Sequence, residues 1–171
     1  FKLLRDIKSV AFSTVDQYGK PQVRIIDIMI VEDEKIYFVS AKVKDFYREL
    51  MEQKQVALVG LTKDYQSIRV SGDIKKLEPA WVDRVFDENK VMNQVYPEKS
   101  RYILDAFCIY RGNGEYFDLS SSPIYRESFS FGKEEIQIKG FQIEDSCISC
   151  GSCKASCPQR CIEDGRPYVI E

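Results

Sequence analysis

Ser9-Val10-Ala11-Phe12-Ser13-Thr14-Val15-Asp16-Gln17-Tyr18-Gly19-Lys20-Pro21-Gln22-Val23-Arg24-Ile25-Ile26-Asp27-Ile28-Met29-Ile30-Val31 carries the fold of the N-terminal part. Ser9–Asp16 alternates as a strand with one buried face. Asp16-Gln17-Tyr18-Gly19-Lys20 reads as a hairpin turn, with Gly19 at the positive-φ position. Pro21–Val31 is a long Ile/Val-rich strand. Glu32-Asp33-Glu34-Lys35 is a second polar turn, and Ile36–Ser40 a third strand. Two strand–turn–strand units in close succession argue for an antiparallel meander.

Outward from this stretch, Leu3, Leu4 and Ile7 share one face of a helix over residues 2–8. Phe46, Leu50 and Met51 mark a second helix after the basic connection Ser40–Asp45. Gln55–Leu61 and Gln66–Leu77 follow as strands, the latter with Gly72 inside it, a sign of a bulge or close backbone approach. Pro79 opens an amphipathic helix to Asn89 through Trp81, Val82, Val85 and Phe86. Phe107–Tyr110 and Glu115–Leu119 read as strands around Gly112-Asn113-Gly114, before a Ser120–Pro123 loop. The pattern predicts a mainly β (α+β) chain, a six-stranded closed or split β-barrel with flanking helices. A boundary near Phe131-Gly132-Lys133 separates residues 1–131 from residues 132–171. Beyond it, strands over Glu135–Lys139 and Phe141–Ile143, a cysteine loop, a short helix and Pro167–Ile170 form a β-loop-α-β module.

The 171 residues suffice for one well-buried domain plus a small appendage. A net charge of −2 with dispersed Lys and Arg argues against nucleic-acid binding through phosphates. No apolar run suits a membrane span, and none reads as a signal peptide. The absence of histidine removes His-based triads, His-ligated haem and the usual zinc hydrolases. Cysteines cluster near the C-terminus around a metal motif, which points to a reducing cytoplasm rather than a secreted disulfide scaffold.

That motif is Cys147-Ile148-Ser149-Cys150-Gly151-Ser152-Cys153-Lys154-Ala155-Ser156-Cys157-Pro158. The spacing is C-x2-C-x2-C-x3-C-P, the run with which bacterial ferredoxins hold an iron–sulfur cluster. Soft thiolates select such clusters, zinc or Cu(I). A zinc knuckle or disulfide knot is the competing reading, but zinc sites usually come as two separated pairs. Cys147, Cys150 and Cys153 are the expected ligands, with Cys157 as the fourth. In two-cluster ferredoxins the fourth cysteine ligates the other cluster. Three alternatives therefore stand: Cys157 closes the cluster of its own chain; Cys161 does so or stays free beside it; or two chains each supply half a ferredoxin. The last matches an isologous dimer and is the one expected.

Thr14-Val15-Asp16, Gly19–Arg24, Lys35–Lys42 and Lys44-Asp45, followed by a helix and Ser67–Gly72, resemble the FMN-binding split barrel of the pyridoxamine 5′-phosphate oxidase-like superfamily, nearest its nitroimidazole-reductase-like branch. The resemblance covers residues 1–131. The last forty residues resemble half of a 4Fe–4S ferredoxin. The first likeness implies FMN at the interface of a homodimer. It places Arg24 near the phosphate, Ser40 as the hydroxyl ending the third strand, and Lys42 and Lys44 in a basic phosphate loop. Ser67 falls where the oxidases have a glutamine near the flavin ring. Backbone groups of Ile25, Ile26 and Asp27 would meet the ring edge. Met29 stands where the oxidases carry a lysine, and without histidine the pyridoxamine-phosphate site has no counterpart. Deazaflavin stays an alternative.

Each of these residues has a plainer reading. Arg24 could pair with a Glu, and Lys42 and Lys44 could be a solvated charge cluster. Trp81 and Phe86 suit a core, and Cys108 a small buried hydrophobe. The function expected is an FMN-dependent reductase, nitroreductase-like, in which a 4Fe–4S cluster relays electrons from an external donor to a small organic acceptor. No side chain reads as its catalytic acid. The alternative is a non-enzymatic flavin/iron–sulfur carrier or redox sensor acting on protein partners.

Overall fold

The computed structural model describes residues 1–122, 124–136, 141–158, 160–165 and 167–170. It divides into two compact units, Phe1–Gln137 and Ile138–Glu171.

In the first unit, α1 (Lys2–Ile7) leads into β1 (Ser9–Val15) and β2 (Pro21–Asp27). The hairpin turn forms as its sequence requires. Gly19 adopts φ 76°, and the Asp16 carboxylate accepts the Tyr18 and Lys20 N–H groups, each at 2.9 Å. The expected single strand over Pro21–Val31 is instead two, β2 and β3 (Ile30–Glu32), broken at Ile28-Met29. Ile28 N donates to Lys8 O and Met29 N to Tyr37 O, both at 2.8 Å, so the chain leaves one ladder and enters another. There follow β4 (Lys35–Ala41), α2 (Asp45–Gln53), β5 (Gln55–Leu61), β6 (Gln66–Lys76), α3 (Ala80–Glu88), α4 (Met92–Val95) and a 3-10 turn, Glu98–Ile103. Last come β7 (Leu104–Asp118) and β8 (Tyr125–Phe131).

These eight strands make one antiparallel sheet, in the order β2-β1-β5-β6-β7-β4-β3, with β8 on β7. Laid flat, the six spacings from β2 to β3 would measure about 29 Å. Yet those end strands are consecutive in the chain, and three Cα steps reach at most about 11 Å. The sheet must therefore curl until its ends nearly meet, which is the expected split barrel with more strands. Two expectations are corrected. Phe107–Tyr110 and Glu115–Leu119 are one strand, because Gly112 lies in register with Gly72. A Cβ at Gly112 would strike the Ser71 carbonyl, and one at Gly72 the Arg111 carbonyl, so the two glycines let the strands approach closely, and the register shifts just beyond them, between Asp73 and Ile74. β8 was not expected from the polar, exposed run Tyr125-Arg126-Glu127; it is held by pairing with β7 from Gly112↔Phe131 to Asp118↔Tyr125.

Alternation along β4 and β7 feeds two cores. Ile36, Phe38, Phe107 and Ile109 point into the barrel with Val10, Phe12, Leu58, Val70 and the α2 residues Phe46 and Leu50. Tyr37, Val39, Ala41, Ala106 and Cys108 point outward, where α3 covers them with Val82, Val85 and Phe86. Both faces being covered, β4 loses the polar alternation of a one-sided strand. Trp81 stacks on Tyr37 with centroids 4.6 Å apart, and Cys108 is fully buried, its thiol pushed up by that burial. The core readings of Trp81, Phe86 and Cys108 hold. No helix among the described residues is long and apolar enough to cross a membrane.

Asp118 ties the end of β7 to the next turn. Its carboxylate accepts from Ser120 Oγ (2.6 Å) and N (2.8 Å), Gln66 Nε2 (3.0 Å) and Tyr116 OH (3.0 Å). The Ser120 hydroxyl is the largest cause that lowers its pKa to about 2. The folded value lies below the unfolded one, so this contribution is whole above about pH 4 and is lost as pH falls toward about 2. In Asp118→Asn, that part of the acid-induced loss of stability should disappear, as read from urea midpoints across this range.

In the second unit, α5 (Ser152–Ser156) lies inside the cysteine run, and β9 (Ile162–Glu163) pairs antiparallel with β10 (Val169–Ile170). The strand expected over Phe141–Ile143 is absent: these residues have no regular structure, and Phe141 is exposed. Of Glu135–Lys139, Glu135 and Ile136 are not in a strand, and residues 137–139 lie outside the described residues. Pro123 and Gln159 also lie outside them.

Candidate functional site

The inward rows of the barrel turn polar at one mouth. Val10 and Phe12 are followed by Thr14, Ile36 and Phe38 by Ser40, and Arg24 stands in register with Phe12. Helix α2 closes this end with Phe46 and Leu50 in the core, and on the same helix Glu49 is buried. Arg24 Nη1 donates to Glu49 Oε2 at 2.7 Å and to Thr14 Oγ1 at 2.6 Å, while Thr14 Oγ1 donates to Glu49. The Arg24 guanidinium also lies over the Phe46 ring, 4.6 Å from its centroid.

A cavity of about 730 Å³ opens here, the size of a cofactor pocket. Its wall includes Arg24, Ile25, Ile26 and Asp27 from β2, Ser40 from β4, and Lys44, Arg48 and Glu49 around the start of α2. Met92 and Tyr96 add an apolar side. Four carboxylates line it, each already engaged. Asp16 serves its turn, Asp27 accepts from Ser9 Oγ at 2.6 Å, Glu49 holds Arg24, and Asp45 pairs with Arg48 at 2.9 Å. Lys44 pairs with no carboxylate among the described residues. The Ser40 hydroxyl is buried, with no hydrogen-bond partner among the described residues. An orphaned buried hydroxyl costs about 1–3 kcal/mol, and here it stands on the cavity wall beside a lysine and a helix N-terminus, where anions bind. The residues present therefore fit a phosphate-bearing cofactor.

Arg24, Ile25, Ile26, Asp27, Ser40 and Lys44 thus share one wall. Lys42 and Ser67 lie outside it. Lys42 pairs with Asp105 at 3.4 Å and donates to Tyr102 O at 3.1 Å. Ser67 stands in register with the exposed Leu61, on the outer face of the sheet. Sequence reasoning missed Arg48 and Glu49. The i,i+4 spacing of Lys44 and Arg48 was a usable signal for the first; a Glu at the edge of the apolar stripe of Phe46 and Leu50 leaves none.

In the second unit, Ser149 (φ 53°) and Gly151 (φ 79°) are left-handed. Ser149 N donates to Cys147 Sγ at 3.3 Å. The Tyr168 and Ser149 N–H groups lower the Cys147 thiol pKa, and the Ser152 hydroxyl, 3.5 Å from Cys150 Sγ, lowers that of Cys150. Both effects favour the thiolates that metals and clusters require. Cys157 and Cys161 stand with sulfurs 3.6 Å apart. No group of three or more His, Cys, Asp or Glu side chains converges on a metal-ion position among the described residues.

The curled antiparallel barrel thus carries at its mouth a cavity lined by the Ser40 hydroxyl, Lys44 and Arg48. The model of the pyridoxamine 5′-phosphate oxidase family matches residues 1–106, and the chain belongs to that family. Among solved structures it is similar to a NimC/NimA family protein from Clostridium acetobutylicum (18% identity, 76% of this chain and 88% of that one, TM-score 0.63). It is also similar to PhzG from Burkholderia lata, in complex with tetrahydrophenazine-1-carboxylic acid (16%, 78% and 80%, 0.60). A third is a pyridoxamine 5′-phosphate oxidase-related, FMN-binding protein from Nostoc punctiforme (13%, 81% and 91%, 0.59). At such identities the likeness is one of fold. No curated protein matches the sequence.

Proposed function

We propose that the chain is a flavin-dependent oxidoreductase. FMN occupies the cavity at the barrel mouth, and a 4Fe–4S cluster held by Cys147, Cys150, Cys153 and Cys157 exchanges electrons with it. An external donor thereby reduces a small organic acceptor, such as a nitro compound or a quinone. The observation that carries the flavin part is the unpartnered Ser40 hydroxyl on a cavity wall shared with Lys44 and Arg48. The family match and the FMN-binding Nostoc relative support it. The cluster rests on the cysteine spacing and on the donors that favour the Cys147 and Cys150 thiolates.

Ser40 donates its hydroxyl to the phosphate, and Lys44 and Arg48 supply charge. Glu49 keeps Arg24 fixed at the cavity floor, where it contributes shape and partial positive charge rather than a free cation. β2 ends the sheet, so half of its backbone N–H and C=O groups have no strand partner among the described residues. Ile25 and Asp27 bring such groups to the cavity wall, available to the polar edge of a flavin ring, while the backbone of Ile26 is paired with Val10. Bound there, the flavin supplies interconversion between one- and two-electron transfer. Anaerobic protein given a one-electron donor should reduce a nitroaromatic or quinone catalytically. Full reduction of the protein without acceptor turnover would favour a carrier or sensor instead.

The homodimer belongs to the same proposal. Ile25 and Val23 are 66% and 68% exposed on β2. The register sets Ile25 beside Ala11, and Ala11 beside the exposed Val59. This apolar, small-residue face suits a second copy. The double variant Ile25→Glu/Val59→Glu should run as a monomer in light scattering, where the unaltered chain runs as a dimer.

A further inference from the structure

We propose that Cys157 and Cys161 form a reversible disulfide, a redox-sensitive modification site that withdraws Cys157 from ligation. The pairing stands on geometry; only its consequence for the cluster rests on the function proposed above. Pro158 follows Cys157 at a turn position that suits its fixed φ, and Arg160 N donates back to Cys157 O at 3.2 Å. Arg160 is left-handed, with φ 54°. This reversal returns Cys161 to Cys157, with sulfurs 3.6 Å apart, and a disulfide closes such a pair to about 2.05 Å. Both residues are half-buried, within reach of a small reagent. Among the described residues, no other sulfur–sulfur contact of this kind is present.

The oxidant is a small-molecule disulfide. One cysteine thiolate attacks a sulfur of the reagent and releases the first small thiol. The other cysteine then attacks the mixed disulfide and releases the second. One reagent S–S bond is exchanged for one protein S–S bond; the two protons lost by the cysteines end on the two small thiols. The oxidised unit lacks its fourth thiolate and takes up no cluster until it is reduced.

The test uses the full chain with oxidised glutathione as probe. Iron and sulfide are measured first, and the protein is then stripped with a chelator, oxidised, alkylated and digested with trypsin. Cleavage after Lys154 and Arg160 places the two cysteines on separate peptides. The expected result is a linked Cys157–Cys161 pair that vanishes on reduction, with loss of both singly alkylated peptides. The oxidised chain should also fail cluster reconstitution, while Cys161→Ser, treated alike, should not form the pair. Alkylated Cys157 and Cys161 alone, or linkage confined to Cys147, Cys150 and Cys153, would overturn the proposal. The initial iron and sulfide content judges the cluster separately.

Discussion

Replacing Cys150 or Cys153 with alanine should abolish iron and acid-labile sulfide binding while leaving flavin content unchanged. A cluster held by cysteine thiolates loses one of its attachments in either variant. Both side chains are exposed, so the substitution opens no cavity. Among the described residues, neither of the two barrel cores includes a residue from the cysteine run, so the substitution leaves the packing of those cores as it is. Colorimetric iron and sulfide, with flavin released by heat, measure all three from one sample. Retained iron would show that the run is not the ligand set; parallel loss of flavin would show that the units are not separable in this way.

The second large effect concerns the phosphate. In Lys44→Ala/Arg48→Ala, FMN should bind about 100-fold more weakly, with riboflavin affinity nearly unchanged. A charge-assisted hydrogen bond is worth about 1.5–3 kcal/mol; two at the low end give about 3 kcal/mol, or about 100-fold. Arg48 now faces Asp45 at 2.9 Å across an exposed i,i+3 pair, a contact weak enough for a phosphate dianion to displace. Arg24 offers no such reserve, since its partner Glu49 is buried and losing that pairing is costly. Fluorescence titration with the two ligands separates phosphate recognition from ring binding. Equal weakening toward both would place the phosphate elsewhere.

The barrel was legible because its turns carry their own chemistry. Asp16 and Gly19 specify the hairpin locally, and β5 alternates along its whole length. The break at Ile28-Met29 was hidden because both residues are buried and the apolar run continues through them. Periodicity cannot show a chain passing between the two ends of a curled sheet. β8 was hidden because its stability comes from the β7 ladder rather than from apolar side chains. At the site, Ser40 and Lys44 followed from their place after a strand. The Arg24–Glu49 pair spans a separation of 25 residues, and only the fold brings its halves together. The cysteine run was plain as a motif, since its information lies in spacing.

The central claim is that one chain carries both a flavin and an iron–sulfur cluster. Flavin, iron, acid-labile sulfide and zinc, measured together in anaerobically purified protein after incubation with FMN, test it most directly. One FMN and one 4Fe–4S cluster per chain, without zinc, is the expected result. Zinc in place of iron and sulfide, or no retained flavin, would contradict it.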